Sequence, residues 1–416
     1  MKHALPLVLL FGLVFGLTPT TWAQERFGLY LQGRHKTTRI PFELQANLII
    51  VPVRINNSDT LRFILDSGVS TILITDPKVP IVRGMKPVRK VQIAGAGEGG
   101  HLSATVMVGN AIQMGHMRGG NQNIVVLDQD ILQISEYVGM PIHGIFGYEL
   151  FNHFVVTIDF SHKELLLEEP SHYRYKRRKG DQFAITIEDA KPYLNAVALV
   201  DKARTVPLKV VIDTGAGHAL SLDVNSRNQI PLPNKVIRTQ LGRGLSGVIN
   251  GSLGRVEKIR IGNKLELTNL IASFPDSLAY GMKLGRHLER QGNIGCELLR
   301  RFRVTFNYQQ RYVVLKPIRR RLREAFEHNM SGMDIVAKGV DYDEYLIERI
   351  ERNSPAELAG LEAGDELISV NGEICRDLSI SDLYKILQRG EGKEILMAIR
   401  RKGQLMVTSL VLKRVI

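Results

Sequence analysis

Two aspartates stand in matching surroundings. Asp66 lies in "LRFILDSGVSTILIT" (61–75) and Asp213 in "LKVVIDTGAGHALSL" (208–222). Each ends an apolar, β-branched run with Asp-Ser/Thr-Gly, after which an apolar run resumes; that pattern is strand, tight loop, strand. Carboxylates held in such loops can give and take protons. A second set of residues suggests other chemistry. Gly95, Gly97 and Gly100 satisfy G-x-G-x-x-G, and Gly242, Gly244 and Gly247 repeat it, the glycine spacing of a dinucleotide-binding turn. A third set, His101, His116, His143, His153 and His218, is scattered without ligand spacing, and there is no H-E-x-x-H. The chain therefore calls for no metal.

Spacing ties the first two sets into one unit. Asp66 to Gly95 is 29 residues, as is Asp213 to Gly242; Asp66 to Gly100 and Asp213 to Gly247 are both 34. Further on, "GIFGYELFNHFVVTIDFSHKELLL" (144–167) aligns without gaps to "GNIGCELLRRFRVTFNYQQRYVVL" (292–315), with eight of 24 positions identical. Gly147 follows Asp66 by 81 residues, and Gly295 follows Asp213 by 82. The chain is an internal duplication. A nucleotide turn would need a helix after its glycines, yet "HLSATVMVG" and "VEKIRIG" read as strands by alternation and β-branching. Both glycine segments are expected to be hairpin tips, where glycine supplies positive φ and lets backbone approach a bound chain closely.

The two Asp-Ser/Thr-Gly loops, each with a downstream apolar-apolar-Gly segment ("IFG", "NIG"), resemble the aspartic peptidase family over roughly residues 41 to 318. The resemblance implies a mostly β, bilobal acid-protease fold of two pseudo-symmetric lobes, at 26–170 and 186–318. It assigns the catalytic roles to Asp66 and Asp213, loop support to Ser67, Gly68, Thr214 and Gly215, and two flaps to Gly95, Gly97, Gly100 and Gly242, Gly244, Gly247. Two carboxylates within hydrogen-bond reach cannot both ionise, so the pair shares a proton. One member then acts as general base on a water and the other as acid to the peptide carbonyl, with no metal or organic cofactor. Which member is base is open at this point. Where pepsin-like enzymes usually follow the glycine with Ser or Thr, this chain has Val69 and Ala216. Losing a donor to the charged form raises a carboxyl's pKa, so a mildly acidic to near-neutral optimum is expected. Apolar residues there, and two flaps, make the chain resemble a retroviral-type (retropepsin-like) dimer fused into one chain. Gly217 and His218 also depart from the usual pattern.

From about 325 a new pattern begins. "NSPAELAGLEAGDELISVNG" (353–372) resembles a PDZ domain of the protease-linked bacterial kind, expected over 325–416. A helix is expected from Ser379, with Asp382 as a capping-box partner and Gly390 as stop. The resemblance implies a groove between this helix and the strand after "MSGMDI", where a peptide or protein C-terminus adds as a strand. Ser331, Gly332 and Met333 are its candidate carboxylate loop.

The N-terminal "MKHALPLVLLFGLVFGLTPTTWAQ" has a short polar head, the apolar run 5–17 and small residues at 21–23. It reads as a signal peptide, 1–23, and the run is too short for a span. The mature chain is expected to be exported, periplasmic or extracellular, with no transmembrane segment. The 55 basic and 42 acidic residues give +13, concentrated in "HYRYKRRKG" (172–180) and "RRRLRE" (319–324), which read as solvated connectors rather than a nucleic-acid surface. Cys296 and Cys375 alone exclude a disulfide framework. The expected protein is an exported, monomeric aspartic endopeptidase acting on polypeptide. The alternatives are an inactive secreted peptide-binding adaptor, a zymogen needing activation, and an enzyme whose lobes pair between chains.

Overall fold

The computed structural model describes residues 28–201, 204–224, 230–276, 290–388 and 390–416. The expected signal segment, 1–23, lies outside the described residues. The architecture is mostly β: two lobes of related topology followed by a PDZ domain. Alternation sets which faces are buried. In Leu48–Ile55, the side chains of Ile49, Val51, Val53 and Ile55 all enter one core, as the two-residue period of a strand dictates.

Each lobe delivers its aspartate in the same way. Leu61–Leu65 leads to Asp66, and Gly144–Phe146 lies parallel to it and antiparallel to Ile72–Ile74. In the second lobe Gly292–Ile294 runs parallel to Arg204–Ile212 and antiparallel to Leu220–Leu222. The downstream strand holds the aspartate by its backbone. Asp66 N–H donates to Phe146 O at 2.9 Å, and Asp213 N–H donates to Ile294 O at 2.8 Å. The downstream repeat is therefore part of the support of the aspartate loop.

Beneath the loops the lobes share a sheet. Val155–Asp159 pairs antiparallel with Phe302–Asn307, Thr157 opposite Thr305, and the two hydroxyls are 2.9 Å apart. These threonines are equivalent in the gapless alignment of the two halves, so the pairing is self-complementary and a pseudo-twofold axis passes between them. Apolar residues of both lobes form one continuous core. Near its centre Phe151 packs edge-on to Phe306 at 5.0 Å and stacks on Tyr308 at 5.5 Å.

The PDZ sheet has a core of its own, including Met333, Ile335, Leu367, Leu383 and Ile395. Met333–Lys338 is its edge strand, beside the helix Ile380–Leu387, whose N-cap Ser379 accepts the Asp382 N–H at 3.2 Å. The 319–324 run, expected as a solvated connector, is instead a packed joint. The fully buried Arg301 donates to the carbonyls of Arg321 and Glu324 and lies 3.7 Å over the Phe326 ring. Arg300 pairs with Glu297 and Glu324. The run's backbone and Glu324 are packed, and Arg321 donates to Phe160 O at 2.9 Å, while Arg319, Arg320 and Arg323 stay exposed as expected of a solvated run. Cys296 and Cys375 are both buried and free. Among the described residues no helix is long and apolar enough to cross a membrane.

Candidate active site

The two Asp-Ser/Thr-Gly loops meet back to back. Ser67 N–H donates to Thr214 Oγ1 at 2.9 Å, and Thr214 N–H donates to Ser67 Oγ at 3.0 Å. Each hydroxyl in turn donates, Ser67 Oγ to Ile212 O at 2.6 Å and Thr214 Oγ1 to Leu65 O at 2.8 Å. Both side chains are fully buried. Four mutually satisfied bonds across the lobe boundary fix the strands that carry the aspartates, where an unpaired hydroxyl would be costly.

The two carboxyl groups face each other closely: a Cβ on Gly68 would lie 3.1 Å from Asp66 Oδ1 and 3.4 Å from Asp213 Oδ1. Gly68 N–H donates to Asp66 Oδ1 at 2.6 Å and Gly215 N–H to Asp213 Oδ1 at 3.0 Å. A side chain at Gly215 would overlap the Asp66 carboxyl, so glycine there is required by the closeness of the pair. Burial, and then the Asp213 charge, push the Asp66 carboxyl up to about 8, against the opposing pull of Gly68 N–H and Lys191. Burial and the like charge thus favour one proton shared by the pair over two charges.

The sequence reading missed one partner of the dyad. Asn293 Nδ2 donates to Asp213 Oδ2 at 2.8 Å, and Asn293 Oδ1 lies 3.0 Å from His218 Nε2. Asn293 is 3% exposed. Burial pulls the His218 pKa down, although Asp213 and Asn293 work against it. The signal was present: Asn293 interrupts an apolar strand where the first lobe has Ile145. Val69 packs into an apolar patch with Leu73, Leu132 and Ile145.

Above the loops, the hairpins Lys86–Ile93/Leu102–Met114 and Val236–Gly244/Gly247–Ile261 meet at their tips. Gly99 N–H donates to Ser246 O at 2.5 Å, Ser246 N–H to Ala96 O at 2.8 Å, and Glu98 N–H to Val248 O at 3.0 Å. Gly95 N–H reaches Ser246 Oγ at 3.1 Å. The glycines serve this meeting, since side chains at Gly95, Gly97, Gly99 or Gly244 would overlap the opposite tip. Gly242 sits at a bulge in the second hairpin, and Gly244 and Gly247 flank its turn. Gly100 has open space beside it.

The PDZ loop belongs to a separate place. Ser331 is fully buried, its N–H donates to Asn329 Oδ1 at 3.0 Å, and its Oγ accepts Met333 N–H at 3.3 Å. Gly332 O accepts Glu351 N–H at 2.7 Å. On the edge strand, Ile335 N–H donates to the Tyr384 hydroxyl at 2.9 Å, which in turn donates to Ile335 O at 3.3 Å. The short helix Ile134–Val138 of the first lobe packs against this strand. Glu136 pairs with Lys338 at 2.5 Å, and Gly139 comes up against Ile380 and Ala337.

Interlocked Asp-Ser/Thr-Gly loops at the boundary of two related β lobes, under a pair of hairpins, define a bilobal aspartyl protease fold, here followed by a PDZ domain. Comparisons with known proteins agree: an aspartyl protease family matches residues 51–150 and a PDZ domain family matches residues 346–401. Syntenin-1 of Homo sapiens is 39% identical over 55 residues, which is 13% of this chain and 18% of that protein. Syntenin-1 of Mus musculus matches to the same extent. The chain thus spans less than a fifth of the length of these curated relatives. Among solved structures, a photosystem II D1 C-terminal processing protease aligns with 24% identity and a TM-score of 0.20, covering 21% of this chain and 23% of that one.

Proposed function

We propose that this chain is an exported, single-chain aspartic endopeptidase. The observation that carries the reading is the close approach of two loop-borne carboxyl groups at the boundary of two related lobes, on loops locked together by Ser67 and Thr214. A water between the carboxyls gives its proton to the ionised member and attacks the peptide carbonyl, whose oxygen takes the proton of the other. The tetrahedral intermediate collapses as the carboxyl that took the water's proton gives it to the leaving nitrogen and a hydroxyl of the intermediate returns a proton to the other carboxyl, so the dyad again holds one proton. Both aspartates reside in one chain, which supports a monomeric enzyme. The apolar run 5–17 supports export to the periplasm or beyond.

The PDZ domain is proposed to receive a peptide C-terminus, raising the local concentration of substrate or partner. The groove edge is engaged by Tyr384 and faced by the 134–138 helix, so a peptide gains entry by displacing this packing. The test is cleavage of an unstructured protein by residues 24–416 from pH 3 to 8, beside Asp66→Asn and Asp213→Asn. Cleavage by the wild type alone, inhibited in both variants, supports the peptidase. Intact substrate at every pH with folded protein leaves a peptide-binding adaptor or a zymogen.

A further inference from the structure

The two lobes are related by duplication, yet their aspartates do not have equal surroundings. Asp66 Oδ1 accepts the N–H of its own loop glycine. Asp213 accepts the equivalent bond on Oδ1 and, on Oδ2, a second from the Asn293 amide. In the gapless alignment of the halves Asn293 corresponds to Ile145, whose side chain has no donor, and His218 corresponds by its offset from the aspartate to Thr71. The asymmetry is therefore written into side chains outside the Asp-Ser/Thr-Gly loops.

The direction of each bond follows from the chemistry. A carboxylate only accepts, so the Asn293 group facing Asp213 is its NH2 and the group facing His218 is its carbonyl oxygen. An amide oxygen also only accepts, so His218 carries a proton on Nε2 and donates it. His218 thereby holds the amide the right way round, and the amide presents an N–H to an oxygen that is best matched when Asp213 is ionised.

We infer that Asn293, held by His218, makes the dyad chemically asymmetric: Asp213 is the ionised member that takes the proton from water, and Asp66 is the protonated member that donates to the substrate carbonyl. Asn293 and His218 are positioning residues. The inference rests on the peptidase reading for the names base and acid, but the location of the proton is a property of the folded chain. The raised Asp66 carboxyl agrees with it. The charged and titratable groups acting on this cluster are Lys191 on Asp66, Arg290 on His218, and the buried Tyr308 and Cys296, which both feel the dyad.

The test uses the full chain and two readouts. Carboxyl 13C NMR of Asp-labelled protein, assigned with Asp66→Asn and Asp213→Asn, locates the shared proton; the pH profile of kcat/KM reports the same dyad in turnover. In the wild type the proton should sit on Asp66. In Asn293→Ile, which installs the first lobe's residue, the lower titration of the dyad and the acid limb of the profile should both move up by about one pH unit, the size expected for losing one bond to a charged group. His218→Gln, which retains an amide donor, should hold the limb near wild type, and His218→Leu should move it part of the way. A proton found on Asp213, or an unmoved titration in folded Asn293→Ile, overturns the assignment; if that variant does not fold, equal titrations in His218→Leu and His218→Gln overturn it. A wild type that titrates as expected but cleaves nothing would sink the peptidase reading and leave the asymmetry standing.

Discussion

Asp66 carries a cost that its neighbours impose. Its ordinary value is near 3.8 and the folded chain raises it to about 8, so folding favours the protonated form. Between those limits the folded state keeps a proton that the unfolded chain releases, and stability falls as pH rises through the window. Below about pH 4 both states are protonated and the cost vanishes. Asp66→Asn removes the titration while keeping the shape. Denaturant unfolding should show the variant gaining steadily on the wild type as pH rises from about 4 to about 8, with a constant difference outside that range; a pH-independent difference would refute the argument. The lock beneath the dyad makes a prediction of the opposite sign. Thr214→Val leaves Ser67 N–H without its acceptor and Leu65 O without its donor. Each buried group so orphaned costs roughly 1–3 kcal/mol, so the unfolding free energy should fall by that order or more. Thr214→Ser keeps the hydroxyl and should restore most of the loss.

Among the elements, the hairpins are the clearest case of glycine chosen for proximity. Gly99 packs against Ser246 O, and its N–H bonds to that oxygen. Gly99→Ala should splay the tips without touching either core. Hydrogen exchange at Ser246 N–H, which bonds to Ala96 O, should accelerate roughly tenfold, the value of about one hydrogen bond, while the midpoint of global unfolding stays put. Unchanged exchange would mean that the tips are held by something other than this contact. The hairpins, the paired loops and the downstream strands were all legible, because each leaves a local pattern: alternation, a turn tripeptide, or a repeat at fixed spacing. Their glycines were read as approaching a ligand, whereas here they approach each other, since nothing in one hairpin's residues names its partner. Asn293 was harder to see. A lone asparagine in an apolar strand has no periodicity, and its meaning emerges only when the parallel pairing of Gly292–Ile294 with Arg204–Ile212 sets it beside Asp213.

At the scale of the whole molecule, the PDZ domain is fastened to the second hairpin as well as to the first lobe. No sequence pattern announced this, because the contact joins surfaces more than a hundred residues apart. Arg243 of the hairpin is the hub: its guanidinium reaches Glu348 at 3.1 Å and Gln133 at 3.3 Å and lies 5.1 Å over the Tyr137 ring. Glu348 also accepts the Tyr137 hydroxyl at 2.7 Å, and Thr239 of the same hairpin meets Glu351 and Arg349. Behind the domain, the packed joint at Arg301 and Phe326 denies it a loose tether. Lifting the second hairpin therefore means breaking its bonds to the first hairpin and to the PDZ sheet together. The side chains at Arg243 and Glu348 are 26% and 30% exposed, so the ion pair by itself is worth no more than about 1 kcal/mol, with a comparable contribution from the cation–ring contact. Arg243→Ala in the full chain should raise hydrogen exchange across 239–250 by roughly five- to thirtyfold, the range that 1–2 kcal/mol spans, and should carry 95–100 with it because the tips are joined. Tyr137→Phe, which removes one hydrogen bond and leaves Arg243 over the ring, should have a smaller effect on the same amides. Faster exchange in 239–250 with 95–100 unmoved would show that the hairpins open independently, and unchanged exchange in both would show that the PDZ contact exerts no hold on the cleft.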